Sequence, residues 1–207
     1  MSSSLYRLSG VVLLVGGVLA AIGWLVKFGL PSTDIAQYTS PLYAPANALI
    51  SIGALLVIAG LLGFHARQSK QAGILGLVGI ALSSLLLAVD VIGGAAGATF
   101  IPLFVGHPQV LKVLAETNVP FVFPLLLLGA IGILLLGIAT IRARVFPRSA
   151  GILLLLGLVA FVASFVVPII NPIGPVLIYA AFAWSGIVLV RGNAVTMQTP
   201  ELVPQTS

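Results

Sequence analysis

The sequence predicts an all-α integral membrane protein of six transmembrane helices, built from repeated helical hairpins, with both termini in the cytoplasm. The first observation is composition: 60% of the 207 residues are hydrophobic and 6% are charged, whereas soluble domains carry about 25% charged residues. No soluble fold of this length has enough interior to hide so much apolar surface, so lipid must cover part of it. The other two observations are a repeated pattern and the placement of the basic residues.

Three long apolar runs open with the same pattern, in which a basic residue is followed by two glycines six positions apart. The copies start at a basic residue and continue to a glycine pair: Arg7 with Gly10 and Gly16, Lys70 with Gly73 and Gly79, and Arg148 with Gly151 and Gly157. The turns before the second and third copies are also similar, with His65-Ala66-Arg67 and Arg142-Ala143-Arg144. We interpret this as a duplicated hairpin whose copies all run in the same direction, unlike an inverted transporter repeat. The alternative is that glycine matches arise from composition and the basic turns from topology.

Gaps in the apolar runs divide residues 1–191 into six spans, each close to the ~20 residues that cross a bilayer. The predicted spans are about 6–29, 45–65, 71–93, 119–142, 149–168 and 173–191. Prolines recur where the even-numbered spans begin, and proline suits the first turn of a helix; they are Pro41 and Pro45, Pro120 and Pro124, and Pro172 and Pro175. With Pro168, Asn171 and Gly174, the last pair predicts the turn before span six. Residues 192–207 predict a flexible cytoplasmic tail.

The basic residues give the orientation. Seven lie on one side of the six-span arrangement: Arg7, Arg67, Lys70, Arg142, Arg144, Arg148 and Arg191. Lys27 and Lys112 lie on the other side. Because cytoplasmic loops carry the excess of Lys and Arg, we expect both termini in the cytoplasm and a location in the bacterial plasma membrane.

Small residues predict how the helices pack. They form glycine-rich stripes at helical spacing: Gly73, Gly76 and Gly79; Gly129, Gly132 and Gly137; and Gly93, Gly94 and Gly97. Helices in lipid associate where small residues let backbones approach closely. Ordinary helix packing is the interpretation we favour, and a ligand crevice lined by bare backbone is the alternative.

Two charged residues occupy matched positions within the apolar runs. Lys27 and Asp90 each follow a basic start by twenty residues, a helical rise of ~30 Å, which is about the hydrocarbon thickness. Both are therefore expected near the outer boundary, where they either pair, form the polar floor of an outward-facing site, or extend separately to the headgroups.

The predicted outer loops carry the other candidate ligand or partner residues: Asp34, Tyr38, Tyr43, His107, Lys112, Glu116 and Asn118. Residues 107–116 predict a short amphipathic helix started by Pro108. Such a helix rests in the membrane interface, covers a crevice as a lid, or docks a partner. Since the outer loops are longer and more polar than the basic turns, we expect recognition on this side.

Sequence motifs for catalysis are missing. The chain has no cysteine, His65 and His107 fall on opposite sides of the membrane, and HExxH, GxSxG and haem-type histidine pairs do not occur. We therefore predict a non-enzymatic protein without a metal or cofactor. The net charge of +5 follows from topology, so nucleic acid is not an expected partner.

Two function classes remain. The sequence favours a non-catalytic accessory or scaffold subunit, whose partners are the lipid bilayer and other membrane subunits or further copies of the chain. The alternative is a small-solute transporter, or the substrate-binding subunit of an uptake system, with an outward-facing site. The second class needs a polar-lined cavity near the outer ends of the helices, whereas a scaffold can be tightly packed throughout.

Overall fold

The computed structural model describes residues 3–31, 34–167 and 170–192, and every regular element in these ranges is helical. The predicted flexible tail, apart from Gly192, lies outside the described residues. The helices are α1 (Ser3–Phe28), α2 (Asp34–Thr39), α3 (Tyr43–Thr99), α4 (Pro108–Ala143), α5 (Arg148–Ala163) and α6 (Ile173–Gly192), with a 3-10 turn at Ile101–Phe104. The predicted helical class is confirmed.

Four of these helices are long and apolar enough to cross a membrane: α1, α3, α4 and α6. Their outward faces carry large hydrophobic side chains, such as Leu62 and Ile74, which are 72% and 79% exposed. Lipid is the solvent that suits such faces. These four helices are consistent with membrane embedding, while α5, with 16 residues, rises ~24 Å and is short for a bilayer.

Helix α3 doubles back on itself at Gly73. This glycine has a φ of 55° and a ψ of −145° inside the 57-residue helix, a conformation that glycine adopts without a Cβ penalty. We call residues 43–72 the first limb and residues 74–99 the second limb. The limbs are antiparallel, because the Ser51 hydroxyl donates to the carbonyl oxygen of Val91 at 2.8 Å.

The bend differs from the sequence prediction in its position. The predicted turn at 66–70 is helical, and the chain reverses a few residues later. Gly73 therefore belongs to the bend, and a Cβ built on it would meet nothing within 4 Å, so it is not part of the packing stripe that we predicted with Gly76 and Gly79. Positive φ at one residue lets the basic segment extend the helix before the chain turns.

Neighbouring helices pack side by side in chain order, and α6 returns to pack against α1, which closes a ring. Glycines mark most of these contacts. A Cβ on Gly16 would lie 2.7 Å from the Gly53 oxygen, one on Gly79 would lie 2.7 Å from the Leu136 nitrogen, and one on Gly157 would lie 2.9 Å from the Gly174 oxygen. The second glycine of each repeat copy thus packs against the next span along the chain.

The ring has two distinct ends. Contacts between Gly10 and Leu189, Gly63 and Ser9, and Gly151 and Ile141 place seven basic residues at one end, which we call the basic end. Lys27 and Tyr43 lie at the other end, which we call the opposite end. The basic end is closed by Phe64 and Phe146, whose rings stack at 4.4 Å.

Two further helix boundaries differ from the sequence prediction. Helix α4 begins at Pro108, as predicted, but runs on without a break to Ala143, so the amphipathic segment and span four are one helix. Pro120 and Pro124 therefore lie inside α4 and not in a first turn. Internal proline is tolerated in membrane helices, where neighbouring groups satisfy the freed carbonyl.

Helix α5 ends at Ala163, five residues before the predicted boundary, and α6 already includes Gly174 and Pro175. Pro168 lies outside the described residues. The segment between the two helices therefore begins at Ser164, inside the bundle, and this early end shapes the candidate site.

Candidate functional site

A cavity of about 270 Å³, partly open to the surface, lies between the helices toward the opposite end. Its walls come from α1, the second limb of α3, α4, α5, the segment after α5, and α6. They are largely apolar, with a few polar groups, and the lining residues are Trp24, Leu86, Leu87, Val89, Asp90, Leu126, Phe161, Ser164, Phe165, Asn171, Pro175, Ile178 and Tyr179.

The short α5 explains why the cavity exists. A longer helix would continue along the neighbouring helices, but the chain leaves the helical path at Ser164 and Phe165, which line the cavity. The Ser164 hydroxyl donates to the carbonyl oxygen of Phe161 at 2.6 Å, which satisfies one acceptor at the helix end. The cavity therefore lies beside the end of α5, and its described lining residues belong to the helices and to the segment after α5.

Asp90 and Tyr179 form the strongest polar contact in the cavity wall. The Tyr179 hydroxyl donates to Asp90 Oδ2 at 2.6 Å, joining α3 to α6 across 89 residues of sequence. Such a length is typical of a hydroxyl bound to a carboxylate. A carboxylate has about four acceptor positions, and Tyr179 fills one of them. Tyr179 itself is 1% exposed, so its hydroxyl depends on this partner.

Lys27 belongs to a second polar cluster, beside the first. Its Nζ donates to Asn47 Oδ1 at 3.4 Å, and the Asn47 amide nitrogen donates to the carbonyl oxygen of Tyr43 at 2.8 Å. The Nζ also lies 4.9 Å from the centre of the Trp24 ring and 5.8 Å from that of Tyr43. These are cation–π distances, so the ammonium group is held within the protein.

Lys27 and Asp90 are near each other without forming a direct ion pair. Lys27 donates its hydrogen bond to Asn47, and Asp90 accepts one from Tyr179. The attraction between the two charges acts over a longer distance. Trp24 stands next to both, since its ring lies under Lys27 and also lines the cavity. The two charges therefore lie in one region, in two separate polar clusters that Trp24 joins.

Trp24 has an unusual indole nitrogen. Its Nε1 is buried near Asp90, yet in the described part of the chain it has no hydrogen-bond partner of acceptable geometry. A buried N–H without an acceptor is costly and calls for an explanation. Its place in the wall of the cavity means that an occupant with an acceptor atom, or a small shift of the Asp90 carboxyl, would satisfy it.

The other predicted site residues do not line the cavity. Tyr38 and Tyr43 pack edge to face, with ring centres 5.1 Å apart, next to the Lys27 cluster. His107 and Lys112 are exposed at the start of α4. Asp34 begins α2, and Glu116 and Asn118 lie within α4, but the side chains of these three residues are outside the described part.

Several residues of the site were missed by the sequence analysis. Asn47 and Tyr179 are buried polar residues in apolar runs, and that contrast is a signal that could have singled them out. Trp24, Phe161 and Phe165 carried no such signal, because aromatic side chains are ordinary in a membrane helix. Their convergence depends on which helix faces meet.

The basic end contains a separate surface cleft, formed by Tyr6, the 66–71 segment and Val145, with Arg67 and Lys70 exposed. Among the described residues no group of three or more His, Cys, Asp or Glu side chains could hold a metal ion. The cavity with Asp90 is therefore the better-built candidate site.

The chain matches no family model, and no curated protein or solved structure is significantly similar to it.

Proposed function

We propose that this protein is a six-span membrane protein that binds a small solute in the cavity beside Asp90, as a transporter or as the substrate-binding subunit of an uptake system. The six spans are α1, the two limbs of α3, α4, α5 and α6. Neighbouring helices in the ring run antiparallel, which is consistent with six spans. The equivalent packing of Gly16, Gly79 and Gly157 supports the parallel hairpin repeat.

The proposed orientation follows from the two ends of the ring. Seven basic residues at one end favour a cytoplasmic location for that end, with both chain termini there. The cavity then lies in the outer half of the membrane, as an uptake site requires. Cysteine substitutions at Ser69 and Gln109 test the topology in a chain without native cysteine: we expect a membrane-impermeant thiol reagent to label Q109C from outside and S69C only after the membrane is opened.

The observation that carries the proposal is the carboxyl group of Asp90 in the wall of a cavity. Charged groups within membrane helices are costly, and they usually mark ligand or ion pathways. A purely structural carboxylate is expected to have its acceptor positions filled by protein donors. Here Tyr179 supplies one hydrogen bond and Trp24 Nε1 lies nearby without reaching hydrogen-bond geometry, while the cavity beside Asp90 is large enough for a ligand.

The accessory or scaffold function, which the sequence favours, remains the second candidate. The closely packed glycine contacts around the ring support it, because they make a rigid body whose outer faces could bind further membrane subunits or copies of the chain. The two candidates differ in one respect: a scaffold does not require a solute in the cavity.

Fluorescence offers a direct test, because the chain has two tryptophans and one of them lines the cavity. Replacing Trp184, which is 48% exposed on α6, by Phe leaves Trp24 as the single reporter. In this background we would titrate purified protein in detergent with small cationic, neutral and anionic solutes. We expect at least one class to change Trp24 emission saturably.

Two variants of α4 make the binding test specific. Leu126→Phe adds volume inside the cavity, and Leu127→Phe makes the same change at a neighbouring side chain that is 55% exposed on the outer face. Saturable binding that L126F abolishes and L127F preserves supports a cavity ligand. If no solute class binds in this way, the scaffold function is favoured instead.

A further inference from the structure

We infer that the solute bound beside Asp90 is a small organic cation, namely an amine or quaternary ammonium compound with a compact apolar or aromatic body. This inference rests on the proposed solute-binding function and adds the chemical class of the ligand. Three features of the cavity carry it: the charge of its wall, the aromatic rings around that charge, and its volume.

The charge of the wall is negative. Among the described lining residues Asp90 is the one acidic side chain, and the lining includes no Lys, Arg or His. A carboxylate in low-dielectric surroundings attracts a cation more strongly than it would in water. Tyr179 occupies one of its acceptor positions, and the Trp24 N–H lies close enough to take a second. The positions that are left can receive the N–H groups of an ammonium ion.

Aromatic side chains line the same cavity as the carboxyl group. Trp24, Phe161, Phe165 and Tyr179 all line the cavity, and the Phe161 and Phe165 rings meet edge to face with centres 5.5 Å apart. Ring faces attract cations, and clusters of them recognise ammonium ligands that cannot donate hydrogen bonds. The protein already uses this chemistry for Lys27, whose Nζ lies over the rings of Trp24 and Tyr43.

The volume sets the size of the ligand. A cavity of about 150 Å³ holds one benzene molecule, and this cavity measures about 270 Å³. It therefore accommodates one ring and a short aminoalkyl chain, or a branched ammonium group.

Lys27 gives the inference a second and independent consequence. Its ammonium group is close enough to Asp90 for the two charges to interact, but it is bound to Asn47 outside the cavity lining. It therefore repels a bound cation and attracts a bound anion. Replacing Lys27 by Met should strengthen cation binding, weaken anion binding and leave neutral ligands nearly unaffected.

The experiment compares three probes of nearly equal shape and different charge: phenethylamine, phenethyl alcohol and hydrocinnamate. Each is titrated into full-length W184F protein in detergent, and the L126F response is subtracted as the part that does not come from the cavity. We expect phenethylamine to bind at least about tenfold more tightly than the alcohol, since a contact with a charged group is worth about 1.5–3 kcal/mol. Hydrocinnamate should bind most weakly.

Two variants then identify the groups responsible. Asp90→Asn keeps an acceptor for Tyr179 and removes the charge, so phenethylamine binding should weaken at least about tenfold while alcohol binding changes by less than about twofold. Lys27→Met should tighten phenethylamine binding, by a few-fold. Elution from a size-exclusion column shows whether each variant is folded, and the ranking of the three probes on unsubstituted Asp90 stands even if D90N does not fold.

The outcomes separate the inference from the proposed function. If the alcohol or hydrocinnamate binds as tightly as phenethylamine and L126F abolishes that binding, the cavity is a solute site but the ligand is not a cation. If K27M weakens phenethylamine binding, or D90N leaves it unchanged, the inference is also wrong. Absence of L126F-sensitive binding for all three probes and for the wider panel of solutes contradicts the proposed function itself.

Discussion

The two ends of the helical ring treat buried polar groups in different ways. At the basic end the Phe64 and Phe146 rings stack at 4.4 Å, and the nearby Gln68 side chain is fully buried with neither amide atom hydrogen bonded within the described part. At the opposite end the buried amide of Asn47 joins Lys27 to Tyr43, and Asp90 accepts from Tyr179 beside a cavity. The basic end is closed by apolar packing, and the opposite end contains Lys27 and Asp90 with their hydrogen-bond partners.

This difference indicates where function lies in a chain with few polar residues. At the opposite end the buried polar groups, including the Trp24 Nε1 that is unpartnered in the described part of the chain, stand around open space, which implies that the space has a use. The polar atoms of Gln68, His65 and Thr140 that are likewise unpartnered there do not line that cavity. The following predictions test the contrast, beginning with the largest expected effect.

The largest effect is expected from Phe64→Ala. Its side chain is 0% exposed and stacks on Phe146, so truncation should destabilise the protein by about 3–5 kcal/mol. Phe161→Ala, in the cavity wall, should cost less because one side of that ring already faces open space. Phe28→Ala, at a residue 56% exposed on α1, is the control. Thermal unfolding in detergent measures all three, and an F161A loss equal to that of F64A would contradict the distinction between the ends.

Adjacent glycines in the second limb of α3 offer a matched pair. A Cβ on Gly94 would lie 2.7 Å from the Asn47 carbonyl oxygen, whereas one on Gly93 would meet nothing within 4 Å. We expect Gly94→Ala to be less stable than Gly93→Ala by at least about 2 kcal/mol, because backbone atoms cannot move aside. Equal melting temperatures for the two variants would show that the limbs do not pack as the structure has them.

The Asp90–Tyr179 contact should behave as a partnered polar group. Tyr179→Phe removes the donor and should cost about 1–3 kcal/mol, because the carboxyl group loses a buried hydrogen bond. Adding Asp90→Leu to Tyr179→Phe should recover part of this loss, since both polar partners are then gone. D90L alone has its own cost in free energy of unfolding. If the double variant is less stable than Y179F by that full cost, Asp90 has other protein partners.

The coupling between Lys27 and Asp90 should be smaller. A direct buried ion pair typically loses about 3–5 kcal/mol when one partner is removed, but these charges interact without contact. In a double-mutant cycle of Lys27→Met and Asp90→Asn, we expect a coupling of about 1 kcal/mol or less. A larger value would indicate that the two side chains meet directly.

The sequence predicted the helical class and apolar helices able to cross a membrane, because composition and charge gaps determine both. It also singled out Lys27 and Asp90 from their spacing, and the structure brings them into one region. It could not predict that Tyr179 is the partner of Asp90, 89 residues away. In helices that are apolar all round, periodicity does not tell which face meets which neighbour.

Two local features were also beyond the sequence. Gly73 looked like one member of a packing stripe, and its positive φ depends on how the limbs of α3 pack against their neighbours. The apolar run from 149 to 168 gave no sign that α5 ends at Ala163. That early end creates the cavity, so the site itself was not predictable although one of its residues was.

The smallest effect is expected from Gln68→Met, and it tests the contrast between the ends most directly. The Gln68 amide is buried without a hydrogen-bond partner among the described residues, and Met fills a similar volume without polar atoms. Its replacement should therefore leave the melting temperature unchanged or raise it. The free energy of unfolding should increase by no more than about 1 kcal/mol. Asn47→Leu at the opposite end should instead destabilise the protein by about 1–3 kcal/mol, because Lys27 and the Tyr43 carbonyl both lose a partner. If Q68M costs as much as N47L, the buried amide at the basic end has a partner of its own, and partnered buried amides are not confined to the opposite end.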